Sequence, residues 1–528
     1  MLDVLIANGD VYDGSGAGPV RADVGIAGDQ VVSVGLGEAA GLVIDASGRA
    51  VCPGFINILS HSNVSILHDR RSLGELTQGV TTEVFGEGSS MGPLTPALRA
   101  ELAHSTGLRD ADISWQRLSE YLRGVERRGT AQNVASFIGG GTIRANVIGY
   151  DDRPATSQDL DRMRGLVAEE MADGALGIAS ALIYPPGSFA STDELTALCR
   201  AVADYGGCYA SHIRDEGPGL HAAIEEFLAI CRGAGLPGEV FHLKASGQQN
   251  WGLMDGAIGL LEKARAAGEP VTADVYPYTA SSTGLTTVIP QRFHEGGRVA
   301  LYQRLSDPAA RLEIRRELSS GRFGDVDGAE NVLILQTKSP GNRKYQGQTL
   351  AEVALDRGTD AIDAAMDLIV SDQSRIQVAF FSMAEDNLRS ALRRPWVGIS
   401  SDGTSMAPEG AFLRAPTHPR AYGSFARVLG HYVRDEHVLT LADAIHRMSG
   451  LPASTLGLRD RGLLRPGYFA DVVVFDPATV ADRATFAQPH QLSAGVSEVI
   501  VNGQVAISAG QFAGRFPGRA LAGPGSRR

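Results

Sequence analysis

The sequence predicts an α/β protein, and three observations carry that expectation. From about residue 51 to residue 400, short apolar runs alternate with helix-like segments, the pattern that yields parallel strands joined by helical crossovers. The two chain ends are instead rich in β-branched residues and turn formers. Two of the apolar runs, Ala210-Ser211-His212-Ile213 and Val240-Phe241-His242-Leu243, end in a histidine that precedes a polar, glycine-containing loop. In a parallel barrel that is where side chains from distant strands converge on one mouth. Together these specify a TIM-like (β/α)8 barrel with a small β-sandwich domain built from both chain ends and an inserted subdomain.

Residues 1–52 read as short strands separated by turns: Val4–Ala7, Val11–Tyr12, Asp23–Ile26, Val31–Val34 and Leu42–Ile44. They make half of a sandwich. The tail, residues 455–528, supplies the other half through Ala470–Asp476 and Val499–Val505, the latter interrupted by the hairpin pair Asn502-Gly503. The barrel occupies residues 53–454. Its candidate strands are Val51–Leu59, Thr81–Phe85, Val134–Ile138, Leu176–Ala181, Tyr209–Ile213, Val240–Leu243, Val271–Tyr276 and Trp396–Ser400. Leu160–Asp173 and Leu220–Arg232 have the spacing of connecting helices, and the right-handed crossover rule then favours closure. The gap between the last two strands is too long for one connection, so a subdomain or lid is expected over about 284–349. Gln377–Phe381 is one further strand-like run.

The 528 residues are 43% hydrophobic and 20% charged, the range of a soluble globular protein. A net charge of −12 argues against nucleic acid as the main partner. The first residues, Met1-Leu2-Asp3-Val4-Leu5, look like a strand and not a signal peptide, and no apolar stretch reaches the length of a membrane span. The expectation is a cytoplasmic protein acting on a small molecule, with no nucleic acid or membrane partner. The sequence leaves the oligomeric state open. Cys52, Cys199, Cys208 and Cys231 lack CxxC spacing and read as reduced thiols. Gly139-Gly140-Gly141 has no GxGxxG frame, so no nucleotide site is expected.

The chemistry lies in His212, His242 and a third residue of the same kind, Asp402 in Gly398-Ile399-Ser400-Ser401-Asp402-Gly403. Imidazoles suit zinc and related ions, and a carboxylate beside the ion can take a proton from water and pass it to a leaving group. A lone histidine is more often a core or surface residue than a ligand. Three such residues at strand ends shift the balance toward a metal site.

The surrounding residues resemble the amidohydrolase superfamily and, within it, the N-acyl-D-amino-acid deacylases (D-aminoacylases). The resemblance rests on Pro53-Gly54-Phe55-Ile56-Asn57, Gly79-Val80-Thr81-Thr82, Ser211-His212-Ile213-Arg214-Asp215-Glu216, His242-Leu243-Lys244, Asp274-Val275-Tyr276-Pro277-Tyr278, Ser401-Asp402-Gly403 and His418-Pro419-Arg420-Ala421-Tyr422-Gly423. It continues into the tail through Gly462 to Asp476. It implies a metal-dependent hydrolase that cleaves the amide bond of N-acyl-D-amino acids or related amides with metal-activated water. His212 and His242 are then metal ligands and Asp402 the catalytic carboxylate.

Two departures from the family pattern alter the expected site. The family's His-x-His pair is replaced by Leu59-Ser60-His61, leaving His61 as a lone further candidate. The family's zinc-binding cysteine has no counterpart in Gly86-Glu87-Gly88-Ser89; with one loop residue deleted, Glu87 falls in its place, and Glu83 is the weaker candidate. A carboxylate is a competent ligand, so one zinc per chain on Glu87, His212 and His242 is expected. Lys244, Tyr276 and Arg420 are the substrate-binding candidates; an arginine grips a carboxylate with two parallel hydrogen bonds. A cyclic-amide or ester hydrolase on the same scaffold, and a metal-free binding or assembly relative, are the rival readings.

Overall fold

Eight parallel strands follow one another through the middle of the chain: β1 (Phe55–Asn57), β2 (Val80–Phe85), β3 (Asn133–Ser136, continued by Ile138–Gly139), β4 (Gly177–Ala181), β5 (Cys208–His212), β6 (Gly238–Val240), β7 (Val271–Val275) and β8 (Val397–Ile399). The computed structural model describes residues 1–526 except 36, 319–321 and 324–325. β1, β2 and the first part of β3 pair in parallel, and the second part of β3 pairs with β4 at the head of a parallel run through β5, β6, β7 and β8. β8 and β1 meet through the residues just beyond them. Ser60 bridges Gly403, Asp402 N donates to Leu59 O (3.0 Å) and His61 N to Gly403 O (2.8 Å).

The strands are buried on both faces, which calls for apolar and small residues throughout rather than alternation. β4 (Gly-Ile-Ala-Ser-Ala) and β5 (Cys-Tyr-Ala-Ser-His) are buried at every position. Helices cover the outside. Ser157–Ala172 starts on a reciprocal cap between Thr156 and Asp159. Leu220–Ala234 turns Leu220, Ile224, Phe227, Leu228 and Cys231 inward and stops at Gly235, whose φ of 70° is one that glycine adopts without strain. The four cysteines are buried free thiols.

The candidate strand Val51–Leu59 divides at Gly54. Ala50–Pro53 leaves the barrel to pair antiparallel with Val472–Phe475, while Phe55–Asn57 is β1. The break is steric as well as topological: a Cβ on Gly54 would lie 2.2 Å from Thr81 Oγ1. Both chain ends share one nine-stranded sheet that branches at Leu2–Val11, where residues 2–7 pair with 40–45 and residues 10–11 with 50–51. Val4, Ile6, Val24, Ile26, Val472, Val474 and Ile500 form its core.

The insertion runs further than the 284–349 read from the sequence. Gln377–Phe380 is a strand of the insertion, antiparallel to both Ser281–Gly284 and Val332–Gln336, and not of the barrel. Together with helices such as Leu350–Arg357 and Ala361–Asp372 it closes a separate apolar core from Leu285 to Phe380. Periodicity marks a strand but not its sheet, which explains the misplaced boundary. Among the described residues no helix is long and apolar enough to cross a membrane.

Candidate metal centre

Glu87 is the hub of the barrel mouth. β2 ends at Phe85, and Gly86, at φ 110°, turns the chain where a Cβ would come within 2.4 Å of Phe137 O. Glu87 then projects among three histidines. Its Oε1 lies 2.9 Å from His212 Nδ1 and 3.1 Å from His242 Nε2, and its Oε2 lies 3.2 Å from His61 Nε2. His61 Nε2 also meets Asp402 Oδ1 at 2.9 Å. Burial opposes a charge on Glu87, but the hydrogen bonds with His212, His242 and His61 outweigh it and hold this carboxyl well below its ordinary range.

His212 is the last residue of β5, whereas His242 lies two residues beyond β6, in a turn with φ 37°. Asp402, beyond β8, has φ 44°. Positive φ on a non-glycine residue costs of order 1 kcal/mol or more and persists where the surroundings impose it. Here His242 N donates to Asp274 Oδ1 (3.1 Å), which also accepts from Ser400 Oγ (2.6 Å), and Asp402 N is held by Leu59 O. Burial pushes Asp274 itself up to about 6.

The donor set fits a metal. One nitrogen of His212, one of His242 and a Glu87 oxygen lie within 4.8 Å of one another, and His61, Glu87 and Asp402 form a second such group sharing Glu87. Two imidazoles and a carboxylate facing inward are the ligands of a zinc-type ion with open positions. Leu59, two residues before His61, is buried with Ile56, Ile58 and Val84 and offers no donor. Glu83 is not part of the centre: it is buried behind it, accepting from Ser72 Oγ (2.6 Å) and Ser60 Oγ (3.2 Å).

The three substrate candidates also reach the site. Arg420 Nη1 donates to Asp402 Oδ2 at 2.6 Å and Nη2 to Ser282 O at 3.1 Å, tying the mouth to the insertion. Burial favours the neutral acid of Asp402, but the Arg420 charge and the His61 hydrogen bond prevail and lower its pKa. The Tyr276 ring is packed between Arg420 Cζ (4.8 Å from its centroid) and Lys244 Nζ (5.6 Å). Lys244 Nζ is already engaged, 2.5 Å from Glu216 Oε1 and 2.8 Å from His242 Nδ1.

Two residues of the mouth were missed in the sequence. Glu216 stands four residues after His212 in the very motif that identified it, a spacing that reads as loop. Tyr184 packs its ring on the edge of His212 (5.5 Å) and bonds Thr283 of the insertion (2.6 Å), with no neighbouring motif to mark it. His221, His294, His446 and His490, away from the mouth, each bond a backbone carbonyl and are structural.

Comparison with known proteins agrees with this picture. The model of the amidohydrolase family matches residues 42–507. The D-aminoacylase of Alcaligenes xylosoxydans xylosoxydans is 35% identical over 527 residues, 99% of this chain and 98% of that one. A solved D-aminoacylase structure, described for its binuclear metal centre, superposes with a TM-score of 0.83 at 34% identity, covering 99% of this chain and all of the other. The N-acyl-D-glutamate deacylase of Bordetella bronchiseptica, solved with zinc and a phosphonate inhibitor, gives a TM-score of 0.83 at 32% identity and 99% coverage of both chains. The resemblance read from the motifs is borne out over the whole length. This chain belongs to the amidohydrolase family.

Proposed function

We propose that the protein is a metal-dependent hydrolase that uses water to cleave the amide bond of N-acyl-D-amino acids or closely related amides. The observation that carries this reading is the convergence of Glu87, His212 and His242 on one point, with Asp402 reached through His61. Full-length identity of 35% to a D-aminoacylase supports the substrate class. We propose one zinc per chain, which Glu87, His212 and His242 would hold.

A bound divalent ion acts as a Lewis acid on the scissile carbonyl and brings the pKa of water toward about 7. Asp402, kept ionised by Arg420, accepts the proton of the attacking water and returns it to the leaving amine. His61 holds the other Asp402 oxygen, so the carboxylate is aimed from both sides. Arg420 and Tyr276 line the wall on which the substrate carboxylate rests. Tyr184 and Ser282 bring the insertion to the mouth, where it limits access of bulk water.

Two measurements test the reading: zinc content after gentle purification, and turnover of paired N-acyl-D- and N-acyl-L-amino acids with zinc supplied. About one ion per chain, its loss in His212→Ala, and hydrolysis of D substrates are the expected results. A protein that retains no metal and hydrolyses neither series overturns it.

A further inference from the structure

We propose that Glu216 is the positioning carboxylate of the metal centre, setting the ring orientation and tautomer of both His242 and His212 from the side opposite Glu87. The inference rests on the metal-binding role assigned above to those two histidines and adds a residue that the ligand set does not include.

The two rings present four imidazole nitrogens. Glu87 Oε1 takes one from each ring, His212 Nδ1 and His242 Nε2. The two remaining nitrogens both face Glu216: His242 Nδ1 is 3.0 Å from Oε1 and 2.8 Å from Lys244 Nζ, and His212 Nε2 is 3.7 Å from Oε2. That His212 nitrogen is buried without a hydrogen-bond partner. The rings stand 4.5 Å apart and nearly perpendicular, so one carboxylate spans both. A neutral imidazole that gives one nitrogen to a metal carries its proton on the other, and that proton needs an acceptor. For His242 Glu216 Oε1 is that acceptor, since the Lys244 ammonium beside the same nitrogen can only donate, and Oε2 of the same carboxylate faces the unpartnered nitrogen of His212.

Its surroundings keep it in place and ionised. Ser246 N donates to the Glu216 carbonyl (2.7 Å), tying the loop after β5 to the loop after β6, the two loops next to the histidines. Lys244 donates to the same Oε1 that faces His242, and both side chains are almost wholly buried. The ammonium balances the buried carboxylate charge that faces the two imidazoles. Lys244 therefore serves the metal centre through Glu216, and the grip on the substrate falls to Arg420.

Glu216→Gln tests this, because an amide that keeps its carbonyl oxygen toward the Lys244 ammonium turns an N–H toward His212 Nε2 and favours the wrong tautomer there. The readouts are zinc affinity by competition with a chromophoric chelator and the visible spectrum of the cobalt-substituted protein. Glu216→Gln is expected to weaken zinc about 10- to 100-fold, the usual effect of losing such a partner, and to move the cobalt bands. The single variant leaves a buried ammonium unpaired, which can impair folding. Glu216→Gln/Lys244→Met removes both charges and is expected to show the same loss. Zinc affinity within about twofold of wild type in the double variant, with an unchanged cobalt spectrum, overturns the proposal. Wild-type protein without metal, or His212→Ala that retains it, instead defeats the underlying ligand assignment.

Discussion

The carboxylate of Glu87 lies 2.9 Å from Nδ1 of His212, although 124 residues separate them in the chain. The same oxygen reaches His242 at 3.1 Å. Glu87 has a second oxygen that also contacts His61. Glu87→Gln keeps the shape and removes the charge that two buried imidazoles and an ion require. We expect loss of bound zinc and a fall in kcat/KM of at least about 100-fold, roughly 3 kcal/mol of transition-state stabilisation. Metal content and turnover near wild type would place the third ligand elsewhere.

Asp402 is expected to matter for chemistry more than for metal retention. Asp402→Asn preserves the hydrogen-bonding shape but cannot accept a proton, so kcat should drop by about 10²- to 10⁴-fold. Zinc per chain, measured on the same preparation, should stay close to wild type. A variant that loses its metal in step with its activity would make Asp402 a ligand first.

The Arg420 contact with Asp402 makes a prediction about pH. The guanidinium is the largest of the influences, with His61 and His242, that lower the Asp402 pKa against burial. Its removal in Arg420→Gln leaves burial less opposed, so the pKa rises and the acid limb of kcat/KM moves to higher pH. KM should rise as well, because the substrate carboxylate loses its partner. An unmoved acid limb would show that Asp402 is not the group titrating there.

Zinc binding should release protons. Burial and the Lys244 charge oppose protonation of His242, yet Glu216 and Glu87 outweigh them and push its pKa up to about 10 in the metal-free protein. An ion binding at pH 7.5 must therefore displace a proton. Affinity then falls as pH falls, by up to about tenfold per unit for each proton displaced. Calorimetry of zinc binding in two buffers of different ionisation enthalpy measures the release; identical heats would refute it.

Gly86 is the backbone residue on which the hub depends. With φ at 110° and Phe137 O only 2.4 Å from the position of a Cβ, Gly86→Ala forces the turn open. We expect a loss of about 2–4 kcal/mol in denaturant stability, from strain and steric displacement together, and weaker zinc binding. A stability loss below about 0.5 kcal/mol would mean that the loop relaxes freely.

Much of this arrangement was legible in the sequence. All eight barrel strands lie within or beside the apolar runs that predicted them, because strands buried on both faces leave a continuous apolar signature. His61, Glu87, His212, His242 and Asp402 all come together at the mouth, and Lys244, Tyr276 and Arg420 surround them. Errors arose where local signals end. The Val51–Leu59 run hid a change of sheet at Gly54, and β6 stops before His242 because that residue turns to positive φ. Gln377–Phe380 has the composition of any buried strand and nothing that assigns it to the insertion.

Residue types and their spacing along the chain determined the (β/α)8 class, the pairing of the two ends and the candidate ligand types, since apolar periodicity and imidazole or carboxylate chemistry are local properties. Only the tertiary structure decided which atoms face one another. It set Glu87 between three imidazoles, turned Lys244 toward Glu216, and sent Glu83 into the barrel behind the site. Those outcomes depend on turns at Gly86 and His242 and on contacts between loops far apart in sequence, and a distance of a few ångströms across a barrel mouth leaves no mark on the order of residues.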